Sequence, residues 1–146
     1  MLDQVKPWSQ FFAEDPDLAL FASERLDRAV AYLATLRADG SPRLHPVSPI
    51  VRAGGLFLFM EPTSPKRRDL LRDPRFALHA GVEDNGGGGG ELAIWGHARP
   101  IDDATTRSAV ATGDTPDRRV LFELTLRRLF AMTYESTGAT RRRWVA

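Results

Sequence analysis

The apolar positions of this chain change period several times, and each change marks an element. Between residues 9 and 28 they fall at Phe11, Phe12, Leu18, Leu20, Phe21 and Leu26, interrupted by Pro16. That pattern predicts two consecutive helices. The second is capped by Asp15 and opened by Pro16, because a proline at the first helical position gives up no needed N–H. From Ala29 to Arg37 the apolar residues are Val30, Tyr32, Leu33 and Leu36, which reads as a strand. The Asp-Gly of "ADGSP" (38–42) turns the chain into a second strand over 43–52, and "RAGG" (52–55) leads into a third, "LFLFME" (56–61). "TSPKRRDLLRDPRF" (63–76) then predicts a short helix, capped by Ser64, opened by Pro65 and stopped by Asp73-Pro74.

"RFALHAGV" (75–82) predicts a fourth strand and "ELAIWGHARPI" (91–101) another. Between them "EDNGGGGG" (83–90) offers no side chain to pack and reads as a loop. Asp102 and Asp103 cap a helix running to Thr112, and a polar stretch (113–117) follows. In "RVLFELTLRRLFAMTYE" (119–135) one alternating set, Val120, Phe122, Leu124 and Leu126, gives way to a second, Phe130, Met132 and Tyr134. The break between the sets predicts two strands rather than one helix. The tail "TRRRWVA" (140–146) carries Trp144, which is costly to leave in water. Short antiparallel strands closed by Gly and Pro turns and interrupted by short helices predict a mainly β chain, a small barrel forming one domain over residues 1–146.

Three prolines in "PRLHPVSPI" (42–50) bar that strand from the middle of a fully paired sheet. It must be an edge or leave backbone groups free, and free groups can meet the polar rim of a flat heterocycle.

Composition narrows the chemistry. A net charge of +1 gives no general attraction to nucleic acid or to a membrane. No apolar run approaches membrane-spanning length, and the opening Met1-Leu2-Asp3-Gln4 is no signal peptide, so a cytoplasmic protein is expected. The sequence has no Cys, which removes disulfides, thiolate metal sites and Cys nucleophiles. His45, His79 and His97 have no partner at metal-ligand spacing, so no metal is expected, and His79 and His97 read as structural. There is no G-x-S-x-G, no G-x-G-x-x-G opening a helix, and no Gly-Lys-Ser/Thr after the pentaglycine. What remains is the start of the charged helix. Ser64, Lys66 and Arg67 stand there beside free amides, the composition of an anion site. A solvated charged face is the competing reading. Lysine occurs only at 6 and 66, which makes Lys66 stand out in an arginine-rich chain.

The order "AYLATLRADGSPRLHPVSPI", "LFLFMEPTSPKRRDLLRDPRFALHA", "GELAIWGHARPI" resembles the pyridoxamine 5′-phosphate oxidase-like flavin-binding split-barrel superfamily, and within it the small bacterial oxidase-related proteins. The resemblance covers residues 28–103 and extends weakly to the end through "LFEL" and "RRRW". It implies a six-stranded antiparallel split β-barrel with flanking helices. It also implies a homodimer with one flavin in each of two clefts at the interface. By the same resemblance Ser64, Lys66 and Arg67 hold the phosphate of FMN, while the isoalloxazine lies along His45, Pro46, Val47 and Ser48. The function implied is an FMN-dependent oxidoreductase acting on a small molecule. A deazaflavin (coenzyme F-420) reductase of the same fold, which places a lysine at the same spot, and a flavin carrier without turnover are the alternatives. No catalytic residue is assigned, although His45 is a titratable group near the expected ring. Pro65 stands where pyridoxamine-phosphate oxidases proper carry Arg, and "HPVSPI" lacks the basic residues of their second-strand Arg-x-x-x-Leu-Lys. These departures point away from vitamin B6 synthesis. Edge prolines and an unburied Trp144 give a further reason to expect a dimer.

Overall fold

The two edges of the sheet are consecutive in the chain. The computed structural model describes residues 4–146; Met1–Asp3, part of the opening read above as no leader, lie outside the described residues. Its strands are β1 (Ala31–Leu36), β2 (Pro42–Val47), β3 (Ile50–Arg52), β4 (Gly55–Met60), β5 (Arg75–Ala80), β6 (Glu91–Ile101), β7 (Val120–Glu135) and β8 (Gly138–Val145). Every pairing is antiparallel, in the order β2-β1-β5-β6-β7-β4-β3, with β8 added to β7. The strands β2 and β3 sit at opposite ends of this path, yet only Ser48 and Pro49 separate them. The sheet must therefore roll until its edges meet, and among the described residues no ladder joins them. The result is a split barrel, as expected.

Two strands more than the expected six are present, for local reasons. The segment read as one strand over 43–52 breaks at Ser48-Pro49: Pro49 has no N–H to give a ladder, and its carbonyl accepts from the Arg28 N–H (2.8 Å). The prolines lie where a ladder tolerates them, on edge strand β2 and in this corner. The tail forms β8, paired with β7 from Glu135↔Gly138 to Arg128↔Val145. Trp144 is thereby buried against Phe11, ring centroids 4.9 Å apart, and is not surface left for a partner.

Residues 120–135 are one strand, not two. Opposite β6 the register slips: Trp95 faces Arg128 while Gly96 faces Leu126, so Arg127 is an extra residue. The buried side chains change from Phe122, Leu124 and Leu126 to Leu129 and Ala131 across it. The altered phase of the alternation was a β-bulge rather than a turn. Gly96 is required there, since a Cβ would lie 1.8 Å from the Thr125 carbonyl oxygen. Beyond the bulge one edge of β7 carries β8, and before it β4. Between them Lys6 bridges to Leu126 through two 2.8 Å backbone bonds.

The helices close the core. In α1 (Trp8–Glu14) and α2 (Pro16–Leu26), Phe11, Leu18, Ala22 and Leu26 are fully buried among Leu33, Leu92 and Leu124. Asp15 caps α2 by accepting from the Leu18 N–H (3.3 Å), as its sequence predicts. Asp103 likewise caps α4 (Ala104–Val110) at the Thr106 N–H (2.8 Å). Val110 of α4 covers Phe57 and Leu121 on the outer face of the sheet. No helix among the described residues is long and apolar enough to cross a membrane.

Candidate functional site

A cavity of about 630 Å³ opens where the barrel is split. Pro46, Val47 and Ser48 at the end of β2 and Ile50 of β3 form one wall, and Phe59, Met60 and Glu61 at the end of β4 form another. Lys66 enters from α3 (Pro65–Arg72), Arg28 and Val30 from the α2–β1 connection, and Thr112, Asp114, Thr115 and Arg119 from the loop between α4 and β7.

Of the seven residues predicted for the site, Lys66, Pro46, Val47 and Ser48 line this cavity together. Ser64 stands behind Lys66. Its hydroxyl accepts from the Lys66 ammonium at 3.0 Å and makes no cap bond to α3. The expectation of a Ser64 side-chain cap is thus corrected: the oxygen that would take a helix amide is taken by Lys66. Burial pulls the Lys66 ammonium below its ordinary value, and the negative charge of Glu61 partly opposes this. A half-buried cation whose hydrogen-bond partner among the described residues is a hydroxyl, beside helix amides without a side-chain cap, has the chemistry to take an anion. Arg67 turns away, donating to the Pro62 carbonyl at 3.4 Å, and does not line the cavity.

His45 lies one position behind the wall, on β2. Burial holds it below its ordinary value, reinforced by the charges of Lys66 and Arg43 and opposed by Asp69. This environment favours the uncharged imidazole. Asp69 of α3 fastens this region: only 2% exposed, it accepts from Thr35 (2.7 Å), Arg43 (2.7 Å) and Arg72 (3.0 Å), joining α3 to β1 and β2. A second, smaller recess beside it is lined by Arg37, Arg43, Arg68 and Arg72, with Asp39 and Asp69 offsetting part of their charge.

Sequence reasoning missed the rest of the cavity. Glu61 accepts from Arg118 (two contacts of 2.9 Å) and Arg119 (3.2 Å), so one carboxylate is shared by two guanidiniums. Arg107 of α4 donates to the Arg119 (2.5 Å) and Asp117 (3.1 Å) carbonyls and stacks on Phe59, which fixes the loop over the cavity. These residues are far apart in the chain and carry no motif; only the barrel brings them together. Among the described residues no group of His, Asp and Glu is arranged to hold a metal.

The fold is shared with solved structures. PhzG from Burkholderia lata, in complex with tetrahydrophenazine-1-carboxylic acid, is 17% identical, with 96% of this chain and 88% of that one covered at a TM-score of 0.66. HutZ, a heme storage protein from Vibrio cholerae, is 17% identical over 90% and 93% at 0.59. An F-420 reductase is 18% identical over 72% and 91% at 0.56. At such identities the likeness is one of fold, and the ligands named differ. No curated protein matches the chain. The family model for pyridoxamine 5′-phosphate oxidase, however, matches residues 21–133, from the second half of α2 into β7, which takes in the split and every residue lining the cavity. The chain therefore belongs to the pyridoxamine 5′-phosphate oxidase family.

Proposed function

We propose that the chain is an FMN-binding oxidoreductase acting on a small molecule, with the cavity at the split as its site. The observation that carries this reading is Lys66: a half-buried ammonium at an uncapped helix start, in one cavity with the proline-bearing edge strand. Lys66 and the first amides of α3 hold the phosphate, and Ser64 orients the ammonium. The end of edge strand β2, at Pro46–Ser48, offers unpaired backbone groups and an apolar wall to the ring. Bound FMN would supply the hydride chemistry. His45 stands one position behind the wall, where its surroundings favour the uncharged imidazole over a standing acid. Arg67, bonded to Pro62, supports the helix start from behind.

We further propose that the unit is a homodimer with the cofactor at its interface. Trp144 no longer argues for this, being buried, but the outer sheet face does. Paired positions Pro46–Tyr32–His79–Ala93–Phe130 and Leu44–Ala34–Ala77–Trp95 run side by side across five and four strands. Leu44 is 67% and Tyr32 46% exposed, while α4 covers only the other end of this face. Pro46 belongs both to this face and to the cavity.

Purified protein should be yellow and release FMN on denaturation. Titrating FMN, riboflavin and F-420 side by side, with a search for a heme Soret band, decides the ligand. The F-420 reductase neighbour makes deazaflavin the second reading. Failure of FMN to bind while F-420 or heme does would replace the first. Turnover of a carbonyl, quinone or alkene by loaded protein separates enzyme from carrier.

A further inference from the structure

Arg28 is the one cation of the cavity whose side chain bonds to nothing among the described residues. Arg119 donates to Glu61, which it shares with Arg118, and Lys66 donates to Ser64. Asp114 lies within reach of the charge of Arg28 but makes no hydrogen bond or ion pair with it; one of its carboxylate oxygens accepts from the Thr112 hydroxyl at 2.5 Å. The backbone of Arg28 is equally unusual. It follows the C-cap of α2 with a φ of +56°, where a helix ordinarily ends on glycine. Two bonds lock this conformation to the corner of the split: the Arg28 N–H donates to the Pro49 carbonyl (2.8 Å), and the Asp27 carboxylate accepts from the Val51 N–H (2.9 Å). The fold at this position asks for a glycine and carries instead an exposed guanidinium at the rim of the cavity.

We propose that Arg28 is the substrate-recognition cation of the site, binding the carboxylate or other oxyanion of the small molecule that enters the cavity. The planar guanidinium presents paired donors that match a carboxylate, which a lysine cannot do. Lys66 serves the cofactor from α3, and Arg28 serves the substrate from the α2–β1 connection. This assignment rests on the reading of the cavity as a cofactor and substrate site, and it limits the substrates to anionic ones.

The test uses benzoate and its uncharged counterpart benzamide, titrated calorimetrically into the wild-type chain and Arg28→Gly, each with and without FMN. Benzoate should bind the wild type about tenfold more tightly than benzamide, and the preference should vanish in Arg28→Gly. FMN affinity should not change. The variant should melt at the same temperature or roughly 1–4 °C higher, because glycine relieves the left-handed backbone. Should it melt lower, Arg28→Asn, which also enters this conformation readily, replaces it. A preference for benzoate that survives the substitution, or is absent from the wild type, overturns the assignment. So does a loss of FMN affinity, which would give Arg28 to the cofactor. A chain that ignores FMN yet prefers benzoate through Arg28 would keep this site and discard the flavin.

Discussion

The Lys66 ammonium donates to the Ser64 hydroxyl at 3.0 Å across the start of α3, and no carboxylate among the described residues pairs with it. A partly desolvated cation with a neutral partner binds an anion more strongly than a fully solvated one, since part of its water has already been removed. Lys66→Ala should therefore weaken FMN binding by about 1.5–3 kcal/mol, the range for a hydrogen bond to a charged group. Riboflavin, which lacks the phosphate, should bind weakly and ignore the substitution. Titration of both flavins into both proteins checks this. Equal FMN affinities would return the segment to a solvated charged face.

The same burial makes stability depend on pH in a definite direction. Lys66 is held below its ordinary 10.5 and His45 below its ordinary 6.5, the first by burial, the second by burial and then by Lys66 and Arg43. Between the folded and unfolded values of each group the unfolded chain binds more protons, so stability rises with pH through both windows. Cofactor-free protein should gain stability as pH climbs toward about 6.5, and again as it approaches the ordinary lysine value. His45→Asn should flatten the first slope and Lys66→Met the second. Lys66→Met should also melt higher than wild type at pH 7, because a charge is no longer buried. Denaturant unfolding across the pH range reads both.

Asp69 titrates in the opposite sense. Burial works to raise it, but bonds from Arg43, Thr35 and Arg72 outweigh that and hold it below its ordinary 3.8. Its contribution is present above that value and lost as pH falls through the folded one. Asp69→Ala strands the Arg43 guanidinium and unties α3 from β1 and β2. The expected cost is about 3 kcal/mol, the low end for breaking a buried pair, because Arg43 and Arg72 keep contact with water. Urea unfolding at neutral pH measures it. FMN affinity should fall with it, since α3 carries Lys66.

How much of this the sequence disclosed depended on how local the cause was. Asp15 caps its helix as read, and of the pair Asp102 and Asp103 it is Asp103 that caps α4, since a cap needs only the next few residues. The three prolines of 42–50 called for an edge or for free backbone groups, and β2, which carries Pro42 and Pro46, is an edge, because a missing N–H is felt wherever the strand goes. Ser64 looked like the same kind of cap, and failed because Lys66 competes for its oxygen. The bulge at Arg127 was visible as a change of phase but not as a bulge, since a turn breaks the alternation in the same way. Trp144 as a core residue depended on β8 pairing with β7, a contact no local pattern reports. Within the site, Lys66 and Pro46–Ser48 were legible from motif order. Arg28, Glu61 and the Thr112–Thr115 turn were not, because only the rolling of the sheet brings them to the same cavity.

The outer face makes the last prediction. In a single chain Leu44 is 67% exposed, on a strand whose neighbours Ala34, Ala77 and Trp95 continue the apolar row. A glutamate there costs the folded monomer little, since its side chain already stands in water. At a two-fold interface the change occurs in both copies and buries two like charges without partners, a penalty of several kcal/mol. Leu44→Glu should accordingly leave the melting curve of the monomer intact and raise the dimer dissociation constant by at least about 100-fold. Light scattering over a dilution series reads the mass directly. If the clefts need both copies, FMN should leave the variant as the dimer dissociates, at the same protein concentration at which the mass falls. A wild type that scatters as a monomer at micromolar concentration would end the dimer proposal. A variant that stays dimeric would move the interface elsewhere on the barrel.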